Sequence, residues 1–308
     1  MVATATSRSP RRERTEARRS HRNPGWFFVA PYLILLIAFG IVPALYGLYQ
    51  AFIVTSVVGP DTFSLTKNFT DVLGDYRLPG ATLNVALYLL IWLPMLLVVV
   101  FTLALVIDAK RTRFAGLTRF VSYVPGAVTG AAAALLWLFM FSPNVSPIGG
   151  FLRNFTTPNG SFLSDGTFPL VLAVMGVAAG AGGWIVVVFG ALTGISTDVL
   201  ESARLDGASA WQTVWQIKLP LIRNYIAFIL IVSVAQGFQI FVEPTVIAAG
   251  APGQVSTTWS INQLVYSYAT EQSNYGRASA LAILLLVVCV LLAVFIIRKT
   301  KFYSIGDR

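Results

Sequence analysis

The chain has 308 residues, 56% of them hydrophobic and 11% charged, with a net charge of +9 and a mean hydropathy of +0.72. A soluble domain carries about 25% charged residues; here the charge is missing altogether from 30–59, 81–107 and 120–152, and each stretch exceeds the roughly 20 apolar residues that cross a ~30 Å hydrocarbon core. This excludes a soluble enzyme, a secreted disulfide scaffold and a nucleic-acid-binding domain, and with one cysteine, Cys289, no internal disulfide can form.

Residues 1–25 form a basic tail. Arg8, Arg11, Arg12, Arg14, Arg18, Arg19 and Arg22 are opposed only by Glu13 and Glu16. The tail has no apolar periodicity and reads as disordered; it serves either to fix orientation or to meet anionic lipid. The apolar run that begins at Trp26 extends past residue 50 and has no A-x-A-like end, which argues against a cleaved signal peptide.

Six membrane spans follow, at about 26–54, 83–107, 117–141, 168–194, 225–246 and 277–297, and a short tail at 299–308 ends the chain. With the basic tail inside, eighteen Lys and Arg fall on the inner side, among them Lys110, Arg111, Arg113, Arg119, Arg204, Lys218 and Arg223. Four, Lys67, Arg77, Arg153 and Arg277, fall outside. Such a bias sets topology and predicts both termini in the cytoplasm. Pro31, Pro43, Pro94 and Pro125 interrupt helices, as membrane helices tolerate when neighbours satisfy the freed carbonyl. Small residues at 126–134 and 178–183 permit close helix approach. The external segments, 55–82 and 142–167, are too short to be receptors on their own.

The loop at 195–224 carries its own helical punctuation. Asp198 with Glu201 has capping-box spacing, Gly207 suits a left-handed helix end, and Ser209 with Gln212 forms a second box ahead of a helix that ends before Pro220. This predicts a helix–turn–helix at the membrane surface that exposes Arg204, Trp211 and Trp215, suited to docking rather than mere connection.

Glu201-Ser202-Ala203-Arg204-Leu205-Asp206-Gly207-Ala208, followed by Ile217-Lys218-Leu219-Pro220, resembles the EAA loop of ABC-importer permeases; Ser202 replaces the second Ala, a small-for-small change. Pro31 and Pro43 resemble the paired prolines of that family's first helix, and Pro125 with Trp137 its third-helix pattern. Phe238 to Pro244, Gly250-Ala251-Pro252 and Asn274-Tyr275-Gly276 resemble the F…GGP…FG region of its carbohydrate-uptake members of the maltose and glycerol-phosphate type, although Ala251 stands for the middle glycine. The resemblance implies an all-α polytopic protein of the bacterial cytoplasmic membrane with six transmembrane helices, paired with a second, different permease. It further implies two ATP-binding subunits that carry ATP and Mg and dock on the loop at Glu201, Ser202, Ala203, Asp206, Gly207 and Ala208, and an external substrate-binding protein. The chain itself would bind no cofactor.

The residues themselves offer no catalytic chemistry. There is no GxxxxGK[ST] nucleotide loop; His21 stands alone, and Cys289 has no neighbouring base, so nothing reads as catalytic or metal-ligating. Polar groups inside a membrane are costly and usually face a bundle interior or a water-filled cavity. Ser233, Gln236, Gln239 or Ile240, and Glu243 recur at three- and four-residue steps, which predicts one face of the fifth span. Glutamines donate and accept, as sugar hydroxyls require, and Phe238 and Phe241 can offer ring faces. The same glutamines can instead bind a neighbouring helix or the partner permease. Glu243, beside Pro244, suits a structural or gate role, and Asn262, Gln263 and Tyr266 are further pocket candidates. The rival readings are a self-sufficient secondary transporter or channel, which would show an ion-coupling pair or an inverted repeat, a permease for a non-carbohydrate solute, and a membrane-anchored scaffold.

Overall fold

The computed structural model describes residues 25–56, 59–109, 113–128, 130–142, 145–147, 149–152, 163–164 and 166–300. The basic tail before Gly25, and Lys110, Arg111, Arg153, Lys301 and Arg308 of the charge count, lie outside the described residues.

The chain divides into two compact units, 1–46 and 47–308. In the first, helix α1 (Gly25–Leu36) passes through a π-helical stretch, Ile37–Ile41, into α2 (Val42–Gln50), whose last residues belong to the second unit. Pro31 lies inside α1, and the run Trp26–Gln50 is long and apolar enough to cross a membrane. It ends earlier than the sequence reading placed it. Ile53 and Val54 leave the helix to pair antiparallel with Phe63 and Thr62, as strands β1 (Ile53–Val54) and β2 (Thr62–Phe63).

The second unit holds four more candidate spans. Helix α3 (Lys67–Leu73) leads into α4 (Arg77–Ala109), which runs straight through Pro94. Helices α8 (Phe168–Thr193), α12 (Arg223–Phe238) and α15 (Tyr275–Thr300) follow, with α12 continued by α13 (Val242–Gly250). The third span of the sequence reading is a bent pair: α5 (Arg113–Ala127) and α6 (Gly130–Met140) meet at 100°, and the short helix α7 (Gly149–Leu152) follows. Gly130 sits at the corner with φ +63°, a conformation that only glycine adopts without strain. Counting that pair as one span gives six.

The core is the packing of α4 on α8. Val85, Tyr88, Leu89, Trp92, Leu96, Val100 and Ala104 repeat at three- and four-residue steps and meet Val171, Leu172, Met175, Ile185 and Val188. The small-residue stretches act as read. A Cβ on Gly126 would lie 2.5 Å from the Ala179 carbonyl oxygen, and one on Gly182 2.5 Å from that of Ser122, so α5 and α8 meet backbone to backbone. Cys289 is half-buried and packs against the core.

Candidate functional site

Two regions bring chemistry-bearing residues together: a cavity between helices, and the loop at 195–224. The cavity, about 330 Å³, is lined by Tyr88 and Trp92 of α4, Trp137 of α6, Met175 and Gly176 of α8, and Gln236, Gln239, Ile240, Phe241 and Glu243. Tyr88 and Trp92 stack with ring centroids 5.4 Å apart, and Trp137 stacks on Phe141 at 5.6 Å. Glycine makes room for these rings. A Cβ on Gly176 would meet the Trp92 Nε1 at 2.7 Å, and one on Gly237 the Leu89 Cδ2 at 2.2 Å.

Gln236, Gln239 and Glu243 therefore share one cavity, although not one helix face. Helix α12 stops at Phe238, Gln239 takes φ −91° and ψ +7°, and α13 begins at Val242. The reading of a continuous fifth span is corrected at 239–241. The freed backbone there is partly satisfied from another segment, since Asn262 Nδ2 donates to the Phe238 carbonyl at 3.5 Å. A helix broken where it lines a cavity is a recurring device for exposing backbone groups within a membrane.

Ser233 is fully buried and Phe238 is half-buried against the core, and neither lines the cavity. Tyr266 is exposed and not among the lining residues, its ring 5.3 Å from that of Phe241. Gln263 is a helix cap: in α14 (Ile261–Tyr266) its side chain and that of Ser260 satisfy each other's backbone N–H. The sequence reading missed Tyr88, Trp92, Met175 and Gly176. Their only signal was aromatic and small residues in charge-free runs, which packing alone also explains.

In the 195–224 loop, α9 (Thr197–Leu205) is capped by Ser196, whose hydroxyl accepts from the Asp198 N–H at 3.3 Å. The predicted Asp198 cap is thus corrected. Ser196 has the extended backbone of an N-cap (ψ +136°), which places Asp198 inside the first turn, where a carboxylate faces the positive helix end. Ser202, in the place of the usual alanine, donates to the Asp198 carbonyl of its own helix at 2.8 Å. Gly207 has φ +79°; its N–H donates to the Arg204 carbonyl and that of Ala208 to the Ala203 carbonyl, a complete Schellman ending. Ala203 is buried, whereas Glu201, Asp206 and Gly207 are exposed.

The second box forms as predicted. The Ser209 N–H donates to Gln212 Oε1 at 2.8 Å, and the Gln212 N–H to Ser209 Oγ at 3.3 Å. The helix it opens, α10 (Ala210–Gln212), does not stop before Pro220. A π-helical stretch, Thr213–Lys218, carries the chain into α11 (Leu219–Leu221), and the break falls at Ile222. Trp211 and Trp215 are exposed and 5.4 Å apart. Lys218 Nζ donates to Asp108 Oδ2 at the end of α4, 2.5 Å away.

At the opposite end of α4 lies a charged network absent from the sequence reading. Asp75 accepts from the Arg77 guanidinium twice, at 2.8 and 3.1 Å, from the Arg77 backbone N–H at 2.8 Å, and from the Tyr268 hydroxyl at 2.6 Å. Asp71 accepts from Lys67 at 2.7 Å and Arg277 at 2.8 Å. The Arg77 guanidinium holds the Asp75 carboxyl far below the usual carboxylate range, with Tyr268 assisting, and Lys67 followed by Arg277 lowers Asp71. Burial, then the bond to Asp75, pushes the Tyr268 hydroxyl up to about 12. Gly276 passes so close to the Ile53 carbonyl that a Cβ would lie 2.2 Å from it.

Residues 108–299 match the sequence model of the binding-protein-dependent transport system inner membrane component. The probable starch degradation products transport system permease protein AmyD of Thermoanaerobacterium thermosulfurigenes is 24% identical, over 90% of this chain and 94% of its own. The sn-glycerol-3-phosphate transport system permease protein UgpA of Agrobacterium fabrum is 29% identical, over 89% and 93%. Among solved structures, a chain of a bacterial alginate ABC transporter, in complex with an alginate pentasaccharide-bound periplasmic protein, superposes with a TM-score of 0.76 at 21% identity, covering 92% of this chain and 96% of that one.

Proposed function

Because the chain belongs to the family of inner-membrane components of binding-protein-dependent transport systems, a family of multi-pass transport subunits rather than enzymes, we propose that it forms half of the translocation path for a saccharide or a related polar solute. The observation that carries this is the cavity: stacked rings of Tyr88 and Trp92, the Trp137 ring, two glutamines and one carboxylate, set among otherwise apolar spans. Ring faces match the C–H faces of a sugar, while Gln236, Gln239 and Glu243 can exchange hydrogen bonds with its hydroxyls. The names of the relatives, which speak of starch products and glycerol phosphate, support the same reading.

The partners that complete the path are a second permease, an external binding protein and two ATP-binding subunits that hold ATP and Mg. The ATP-binding subunits engage the coupling loop at 195–224 through the surface built by Glu201, Ser202, Ala203, Asp206, Gly207 and Ala208. ATP closes the ATPase pair, the loop follows, and the spans rock around the cavity. In this arrangement 1–25 and 299–308 are cytoplasmic tails, and 26–298 is the permease domain.

Reconstitution in liposomes with its co-encoded partners tests the reading. The complex should accumulate sugar only with ATP and the loaded binding protein present. Uptake by the chain alone, driven by an ion gradient, would replace it with a secondary transporter. Orientation is tested separately: a cysteine at Asp71 should react with an impermeant reagent in intact cells, and one at Ser209 should not.

A further inference from the structure

The coupling loop is joined covalently to α8 and α12 only, yet the ring-bearing wall of the cavity belongs to α4. Between the loop and the end of α4 lies a cavity of about 580 Å³, lined by Leu105, Asp108, Glu201, Arg204 and Lys218 among others. Lys218 and Asp108 close its edge with an ion pair 110 residues apart in sequence, their side chains 15% and 7% exposed. A surface ion pair contributes little, but this one is largely shielded from water, so losing the Asp108 carboxylate leaves the Lys218 ammonium shielded without its counter-charge.

The local structure aims Lys218 at this contact. It is the last residue of the π-helical stretch Thr213–Lys218. An inserted π-turn rotates all that follows by about 100°, one residue's worth of α-helical turn, so the side chain points differently than it would from an unbroken α-helix. At the other partner, α4 runs without a break from Asp108 to Trp92 and Tyr88. Sixteen residues separate Asp108 from Trp92, so the helix is a rod of roughly 24 Å between the ion pair and the cavity wall.

We propose that the Asp108–Lys218 ion pair is a strap that makes α4 follow the coupling loop, so that closure of the ATPase subunits moves the Tyr88–Trp92 wall of the cavity directly. Both are positioning residues: they touch neither cargo nor nucleotide. The proposal rests on the docking role given to the loop above.

The test uses the complete reconstituted transporter in a Cys289→Ala background. Asp108→Asn and, as an independent variant that keeps most of the side-chain stem, Lys218→Met should each lower the ratio of receptor-stimulated to basal ATP hydrolysis about tenfold and transport with it, while all four subunits stay together. Asp108→Cys with Lys218→Cys should be equally defective when reduced and should recover when a short bis-thiol-reactive linker joins the two positions. Recovery on linking is a result that a merely stabilising role does not give. Full stimulation in both single variants, dissociation of the complex in both, or no recovery in the linked pair would each overturn the strap. A wild-type complex that shows no receptor-stimulated hydrolysis at all would instead sink the docking role on which the strap depends, and so the two failures are told apart.

Discussion

The 195–224 loop and the cavity at 236–243 both contain a glycine that no other residue replaces, and for opposite reasons. Gly207 needs its backbone: φ is +79°, and a Cβ there would meet nothing within 4 Å. Gly237 needs its emptiness: its helix is ordinary, but a Cβ would run into Leu89 and Trp92. The loop is shaped by short-range hydrogen bonding within some fifteen residues, and the cavity by contacts between segments more than a hundred residues apart. A backbone change in the loop should alter its communication and leave the fold; filling the packed space at Gly237 should alter the fold and the path together.

The same substitution at both glycines probes this contrast most sharply. Gly237→Val should have the largest effect, pushing α12 off α4 with overpacking that costs about 1–3 kcal/mol or more. It should lower the thermal midpoint of the purified complex and reduce its yield. Gly207→Val should leave assembly intact and abolish the ATPase response to the binding protein, because a left-handed backbone costs a branched residue at least the ~1–2 kcal/mol of any side chain. Gly207→Ala should be milder. Equal melting losses at both positions would erase the distinction between the two glycines.

Smaller changes refine it. Gln236→Leu or Gln239→Leu, if the amide meets cargo, should weaken transport by about 1–3 kcal/mol, roughly five- to 150-fold, with assembly unchanged; a permease pair that separates would show that the glutamines bind protein instead. Ser209→Ala removes one half of a helix cap, worth about 1 kcal/mol, and should show as faster hydrogen exchange confined to residues 209–213. The smallest effect is a null. Asp75 is depressed in the folded chain, so its contribution is present above the ordinary carboxylate pKa and is lost only as the pH falls through the folded value. Tyr268, raised to about 12, contributes below its ordinary pKa and loses that only in strong alkali. Melting of Tyr268→Phe and of the parent should therefore differ by a constant offset from pH 5 to 8; an offset that changes across this range would show that the pair titrates there.

What could be read from the residues follows the same division. Gly207 and the Ser209–Gln212 box were legible because cap and turn chemistry is written within a few positions. The six spans were legible because missing charge is a bulk property. The break at 239–241 was not: Phe238, Ile240 and Phe241 continue an apolar helical run, and only contact with Asn262 and the α4 wall shows where it ends. Asp198 was mistaken for the cap because Ser196, two residues earlier, carries an equally suitable side chain, and only the backbone decides between them. Nothing local in Asp108 points to Lys218.

The backbone contact between α5 and α8 has a kinematic consequence. Helices whose main chains touch at Gly126 and Gly182 have no side chain between them to absorb a change in separation, so they are expected to move as one link. Helix α6 packs on α13, where Leu138 fills the space beside Gly250, and that pair forms a second link. The joints between the links are the corner at Gly130 and the unwound residues 239–241. Spin labels on α5 and α8 should hold a fixed separation through the transport cycle, while labels placed across Gly130 should not. If the labels across Gly130 do move, the two interrupted spans act as hinges, one on each side of the cavity that α6 and residues 236–243 line together.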